Sequence, residues 1–292
     1  MIVGLWMLGG GAAAGVFGSL LGLGGGILIV PLLTLGFGRP LREAVAVSLV
    51  CVIVTSSAAA GAYLRGRVAN LRLGTVLALF TATGALVGAL LAFAIPDRAI
   101  AGLFALLLTY VALSMGRAGL ETSRPASVVP DPAVVPDPAG SAEAAAITAE
   151  PTAAGTGPER AGPLDGPGYR VRRLVPASIA SLGAGVIAAL LGVGGGVINV
   201  PTMNLMMGVP LRVAAATSNL MIGVTAVASA IIYLLRGGLD PYLAGPTALG
   251  VFVGASVGAR VAHRIDVRVL QLMFVVVLTW TTFQMARRAL GI

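Results

Sequence analysis

Charged residues divide this chain into long apolar stretches. No Asp, Glu, Lys or Arg occurs in residues 1–38, 44–64, 73–96, 99–116, 174–211, 213–235, 241–259 and 269–286. A helix that crosses a bilayer needs about 20 mainly apolar residues, and roughly 17–25 are tolerated. Six of these runs therefore predict one membrane helix each. The runs 1–38 and 174–211 are too long for a single crossing.

The two long runs belong to an internal repeat, in which Gly22 aligns with Gly192, an offset of 170 residues. The alignment has no gaps over about 75 residues, and such self-similarity is the sequence signature of a duplicated fold. The further aligned pairs are Pro31 with Pro201, Arg42 with Arg212, Ser48 with Ser218, Tyr63 with Tyr233, Gly84 with Gly254 and Gly88 with Gly258. We therefore predict an all-α polytopic membrane protein with two homologous halves of four hydrophobic segments each.

Glycine-rich breaks interrupt the first segment of each half. The clusters are Gly22, Gly24, Gly25 and Gly26 in one half, and Gly192, Gly194, Gly195 and Gly196 in the other. A glycine in a helix interior costs about 1 kcal/mol relative to alanine, and Pro31 and Pro201 each remove a backbone donor shortly afterwards. Each long run is therefore predicted to hold one full helix, a glycine turn and a short half-helix, at residues 27–37 and 197–208.

Paired breaks of this kind predict a substrate site. Non-helical backbone at membrane depth is tolerated only where it is buried in protein or lines a cavity. Matched Gly/Pro-interrupted segments in two repeats are the best sequence pointer to a transporter's binding site. Free N–H groups at a half-helix N-terminus suit an anion. The alternative is a tight hairpin that only packs.

Polar residues distinguish the second half from the first. Asn199, Asn204, Thr217 and Asn219 stand where the first half has Ile29, Thr34, Val47 and Leu49. Polar side chains in membrane segments are costly unless they have partners. We therefore expect the second half to supply most side-chain hydrogen bonds to a substrate, while interhelical hydrogen bonding remains the alternative. The predicted binding residues are the eight glycines of the two clusters, Pro31, Ser48, Asn199, Pro201, Asn204, Thr217, Ser218 and Asn219.

A linker of different composition separates the two halves. The predicted boundaries are 1–117 for the first transmembrane repeat, 118–172 for a linker and 173–292 for the second repeat. The linker is rich in Pro and Ala and contains all but four of the acidic residues. With so little apolar content it is predicted to be disordered. Glycines four residues apart within the repeats, such as Gly84 and Gly88, predict close helix packing.

Composition fits a membrane protein and narrows the possible chemistry. Hydrophobic residues make up 57% and charged residues 10% of the chain, against about 25% charged in soluble domains. The net charge of +8 is carried by arginine alone, since there is no lysine. These arginines lie at the ends of the apolar runs, which is typical of membrane loops rather than of a nucleic-acid surface. The first run lacks a basic leader region and is expected to remain in the mature protein.

Catalytic groups are missing from the apolar runs. No carboxylate lies inside a run, and His263, the one histidine, is near a run's end. Without lysine there is neither a Walker A motif nor a Schiff-base nucleophile. We therefore expect no enzyme activity, no cofactor and no metal.

These glycine boxes and the stretches after them resemble the TauE/SafE sulfite-exporter family. The resemblance rests on Gly-x-Gly-Gly-Gly at 22–26 and at 192–196, each followed by a proline, and on the Pro-Leu-Arg triplets. It extends through Ala-Val-Ala-Val-Ser and Ala-Ala-Ala-Thr-Ser-Asn and covers nearly the whole chain except the linker. It implies export of sulfite or small organosulfur anions such as sulfonates across the cell (plasma, inner) membrane.

Arginine placement addresses the orientation of the halves. Residues 65–72 carry three arginines, whereas the equivalent loop pairs Arg236 with Asp240, and the next loops show the reverse bias. Since positive loops stay inside, this pattern favours inverted over parallel repeats, with a cytoplasmic linker. We expect an alternating-access transporter for a small anion in the bilayer. An anion channel, an importer of the same anions and a non-transporting scaffold are the alternatives.

Overall fold

The structure is a computed structural model, which describes residues 2–20, 26–65, 69–120, 164, 169, 171–261 and 267–290. This part of the chain is all-helical, as predicted. The helices are α1 (Ile2–Leu20), α2 (Gly26–Pro31), α3 (Leu41–Arg65), α4 (Leu71–Ala94), α5 (Asp97–Leu120), α6 (Leu174–Leu191), α7 (Gly196–Pro201), α8 (Leu211–Leu235), α9 (Pro241–Val261) and α10 (Val267–Leu290). A π-helical turn follows α2 at Leu32–Gly36 and α7 at Thr202–Met206.

Helix boundaries recur at the offset of the sequence repeat. Helices α2, α3 and α5 have counterparts in α7, α8 and α10 whose first and last residues lie 170 positions later, as in Leu41 and Leu211. The proline at the end of α2 and of α7 has no N–H to give to an i→i−4 bond. The backbone widens into a π-turn directly after it in both places.

Every long helix packs mainly against a helix of the other half. Helix α1 packs against α9, and α4, the counterpart of α9, packs against α6, the counterpart of α1. Helices α3 and α8 contact each other, as do α5 and α10. The halves are thus interlocked rather than placed side by side, and α3 and α8 run through the shared core between them.

Glycine makes two of these crossings close. In the α4–α6 crossing, a Cβ on Gly84 would overlap the Leu182 carbonyl, and one on Gly185 would overlap the Thr81 carbonyl. In the α1–α9 crossing, a Cβ on Gly254 would overlap the Ala12 carbonyl. Small residues allow this approach of backbones, which is how helices associate when lipid removes the hydrophobic driving force.

Four helices of the described part are long and apolar enough to cross a membrane. They contain the segments Leu41–Ala58, Leu71–Ala94, Leu174–Leu191 and Val213–Leu235. Two shorter apolar segments, Gly4–Gly18 and Gly26–Gly36, accompany them. Large apolar side chains such as Leu79, Leu106 and Trp280 are exposed on the outside of the bundle, as expected of a surface in contact with lipid. The eight hydrophobic segments therefore remain a prediction, of which four meet this test.

Most of the predicted linker, 118–172, lies outside the described residues. Helix α5 extends to Leu120, slightly past the predicted boundary. Within the described remainder, the carbonyl of Leu164 and the hydroxyl of Tyr169 accept hydrogen bonds from Asn70 Nδ2, at 3.0 and 2.9 Å. These contacts attach the end of the linker to the start of α4.

The close α4–α6 crossing predicts a difference between two glycines of one helix. Gly185→Ala places a methyl group against the Thr81 carbonyl, whereas Gly183→Ala meets nothing within 4 Å. Both changes gain the same helix propensity, so overpacking alone distinguishes them. Gly185→Ala should lose about 1–3 kcal/mol and Gly183→Ala should not. The apparent melting temperature in detergent, read as the monodisperse fraction after heating, measures the difference; equal melting of both variants would contradict the packing.

Candidate functional site

The second glycine cluster forms a buried turn between α6 and α7. Gly192, Gly194 and Gly195 have φ of 69°, 79° and 76°, a region that side-chain-bearing residues rarely adopt. The N–H groups of Gly192 and Val193 donate to the Ala188 carbonyl, which closes the end of α6. These turn residues are buried, so the chain reverses its course inside the protein.

Part of the first cluster meets this turn. Gly22, Gly24 and Gly25 lie outside the described residues, and Gly26 is the first residue of α2. A Cβ on Gly26 would lie 2.8 Å from the Gly192 carbonyl oxygen and 2.7 Å from Val52 Cγ2. The two glycine segments, one from each half, are therefore in direct contact in the core.

Ser48 on α3 joins the two segments. Its Oγ lies 2.7 Å from the Gly192 carbonyl oxygen and 3.1 Å from the Gly26 carbonyl oxygen. The hydroxyl can donate its hydrogen to either carbonyl, and its side chain is fully buried. A predicted substrate-binding residue is thus hydrogen-bonded within the protein, where it connects the halves.

Ser218, the repeat counterpart of Ser48, has no such bond. Its Oγ is buried without a hydrogen-bond partner. This oxygen lies 3.7 Å from the position that a Cβ on Gly196 would take. The side chain of Asn199 on α7 is also buried, and both Oδ1 and Nδ2 lack partners. Nδ2 would lie 3.6 Å from a Cβ on Gly195. Two of these three polar atoms without partners, Asn199 Nδ2 and Ser218 Oγ, therefore lie against adjacent glycines. Each such buried group costs about 1–3 kcal/mol.

The remaining predicted residues have partners in loops and turns. Thr217 Oγ1 accepts from the Asn70 N–H at 3.0 Å, just before α4. Asn204 Nδ2 donates to the Val209 carbonyl at 2.9 Å, across the turn after α7. The backbone carbonyl of Asn219 accepts from the Ser56 hydroxyl. Pro31 and Pro201 end α2 and α7. The structure therefore places Asn199 and Ser218 against the adjacent glycines Gly195 and Gly196, and it pairs Thr217 and Asn204 with backbone groups of helix connections.

A second polar cluster, absent from the predicted site, anchors the end of α6. Tyr233 donates to the Ala189 carbonyl at 3.1 Å, and its ring lies 5.3 Å from that of Phe93. The guanidinium groups of Arg42 and Arg236 lie 5.9 and 5.7 Å from the centroid of the Phe93 ring. Arg42 Nε also lies 2.9 Å from Asp97 Oδ1. The repeat singles out Tyr233, but its ring contact with Phe93 of the first half depends on packing between the halves.

Within the described residues, no group of three His, Cys, Asp or Glu side chains could hold a metal ion. The polar atoms without partners beside the glycines are an amide and a hydroxyl. These groups can bind and orient a ligand through hydrogen bonds. An apolar helical bundle with an interior polar site of this kind is the architecture of a membrane transporter.

Comparison with known proteins agrees with that class. The profile of the family described as "Sulfite exporter TauE/SafE" matches residues 7–285, and the chain therefore belongs to this family. The probable membrane transporter protein YunE of Bacillus subtilis (strain 168) is 24% identical over 277 residues, which cover 92% of each chain. The probable membrane transporter protein MamO of Paramagnetospirillum magneticum (strain ATCC 700264 / AMB-1) is 28% identical over 284 residues, covering 92% of this chain and 42% of that relative. No solved structure matches.

The two equivalent serines should differ in their effect on stability. Ser48→Ala removes the donor for the buried carbonyls of Gly26 and Gly192, which costs about 1–3 kcal/mol. Ser218→Ala removes a hydroxyl that already lacks a partner and should be neutral or slightly stabilising. Melting of the two purified variants beside wild type tests this, and equal losses in both would show that the bridge at Ser48 contributes nothing particular.

Proposed function

We propose that this membrane transporter exports sulfite or a small sulfonate anion across the plasma membrane, as a multi-pass protein that works by alternating access. The observation that carries the proposal is the pair of buried side chains without partners, Asn199 and Ser218, beside the second glycine turn. A permanently buried polar group is expected to be hydrogen-bonded. A substrate that accepts from the Asn199 amide and the Ser218 hydroxyl supplies the missing bonds during each transport cycle.

The local backbone favours a negatively charged ligand. Helical backbone starts at Gly196 and continues through the π-turn to Met206. The N–H groups of Ile198 and Asn199 donate to the Gly195 carbonyl, whereas those of Gly196 and Val197 have no acceptor within the helix. Their partial positive charge attracts anions without a buried cation.

Inverted repeats give a route to alternating access. Because each long helix packs against the other half, movement of one half changes the surroundings of the glycine segments in both. Arginine bias in the sequence favours halves that face opposite sides of the membrane. In such an arrangement the two halves exchange conformations, and the site opens first to one side and then to the other.

The membrane potential can drive export by itself. An inside-negative potential favours exit of an anion by about 2.3 kcal/mol per charge per 100 mV. The apolar runs contain no carboxylate for a proton relay. Export of an anion through this protein therefore needs no coupled proton.

Transport by the purified protein tests the proposal. In proteoliposomes, wild type should carry out saturable efflux of radiolabelled sulfite, faster when the potential favours anion exit. Asn199→Ile installs the residue of the matching position in the first half, Ile29, and should reduce efflux at least tenfold while the protein stays folded. The matched control is Thr202→Val, because the Thr202 hydroxyl donates to the Ile198 carbonyl of its own helical segment.

Four outcomes would contradict the proposal or a part of it. Single-channel currents without saturation would indicate a channel, and flux of every tested anion only towards the inside would indicate an importer. A wild-type protein that moves no anion, and whose role in the cell is lost when residues 125–165 are deleted, would indicate a scaffold. Efflux unchanged in Asn199→Ile would separate transport from the proposed site.

A further inference from the structure

The side-chain amide of Asn199 needs two kinds of hydrogen-bond partner, an acceptor and a donor. Its Nδ2 can only donate and its Oδ1 can only accept, and both atoms lack a partner although the side chain is 1% exposed. Rotation of the amide exchanges the positions of Nδ2 and Oδ1, but the side chain still needs one acceptor and one donor. A ligand that offers acceptor oxygens alone satisfies Nδ2 and leaves Oδ1 unpaired.

Ser218 places a hydroxyl against the neighbouring glycine of the same turn. Asn199 Nδ2 lies against Gly195 and Ser218 Oγ against Gly196, at 3.6 and 3.7 Å from the Cβ positions that these adjacent glycines lack. The hydroxyl hydrogen can serve a ligand oxygen, while the Asn199 Oδ1 needs an N–H or O–H from the ligand. The polar atoms therefore fit a small molecule that combines several acceptors with one donor.

The stretches of helix around these side chains contain no charged residue. Residues 44–64 of α3, 174–211 of α6 and α7, and 213–235 of α8 carry no Asp, Glu, Lys or Arg. The cost of moving an ion from water into such surroundings rises with the square of its charge in the Born description, and no buried cation from these runs offsets it. A monoanion or a zwitterion is accommodated far more readily than a dianion.

We infer that the substrate is a small sulfur oxyacid species with a net charge of −1 or zero that carries an N–H or O–H donor, such as hydrogen sulfite or a hydroxy- or aminoalkanesulfonate. Asn199 is the residue that selects it, since its Oδ1 accepts from the ligand's donor and its Nδ2 donates to an oxygen. The inference rests on the proposed function, because it assumes a sulfur oxyanion at this turn, and it narrows which one.

Sulfamate and methanesulfonate form a matched pair of probes. Both are monoanions of nearly the same size at neutral pH, and sulfamate has an amino group in place of the methyl group. Isothermal titration of the full-length protein in detergent should give wild type a dissociation constant for sulfamate roughly 2- to 12-fold lower, the effect of one net hydrogen bond. Sulfate, a dianion without a donor at this pH, should bind more weakly than either.

A substitution tests whether Asn199 causes the preference for sulfamate over methanesulfonate. Asn199→Leu should bring the ratio of the two dissociation constants to about one. Ser178→Ala should keep the wild-type ratio, because the buried Ser178 hydroxyl donates to the Leu174 carbonyl of its own helix. The contrast between the ligands in wild type needs no substitution, so it remains decisive if Asn199→Leu does not fold.

The possible outcomes distinguish a failure of this inference from a failure of the proposed transport function. Equal binding of sulfamate and methanesulfonate by wild type, or sulfate as the tightest ligand, overturns the inference and leaves sulfur-anion transport standing. A preference for sulfamate that survives in Asn199→Leu overturns the role of Asn199. Failure of all three anions and of sulfite to bind overturns the proposed function itself.

Discussion

A chain that turns inside a membrane protein must find partners for the backbone groups that its turn leaves without helical bonds, because no bulk water reaches them. The hydroxyl of Ser48 meets this requirement for the carbonyls of Gly26 and Gly192 together. One buried side chain thereby holds the two glycine segments against each other across the halves. The closeness of α2 to the turn after α6 depends on this bond and on the absence of a Cβ at Gly26, which would lie 2.8 Å from the Gly192 carbonyl oxygen.

The interlocked helices keep that contact in place. Helices α3 and α8 pass through the shared core, while the glycine-rich crossings of α1 with α9 and of α4 with α6 enclose them. Tyr233 on α8 adds a bond to the Ala189 carbonyl just before the turn. With its backbone held on one side by Ser48 and on the other by Tyr233, the turn presents Asn199 and Ser218 without partners. The symmetry of the sequence repeat is thus broken in the hydrogen bonds of the two equivalent serines, Ser48 and Ser218.

Sequence reasoning reached the helical class and the membrane family, because glycine spacing and apolar runs are local properties, whereas the binding role of the glycine segments stays a prediction. It also identified Asn199 and Ser218 among the candidates. It did not distinguish Ser48 from Ser218, since identical residues at equivalent positions differ only in what the folded chain brings to them. The hydrogen-bond partners of Thr217 and Asn204 could not be predicted either. These partners, Asn70 and Val209, lie in connections between helices, and the positions of such connections depend on how the halves pack.

The central claim is that a small anion binds where Asn199 and Ser218 face Gly195 and Gly196. The most direct measurement is a crystal structure of the full-length protein with selenite, which at mildly acidic pH is the hydrogen-bearing monoanion and gives an anomalous signal. The account predicts one strong anomalous peak within hydrogen-bond distance of the Asn199 amide and the Ser218 hydroxyl. A peak beside Arg42 and Arg236 instead, with Asn199 and Ser218 bonded to other protein groups, would contradict it.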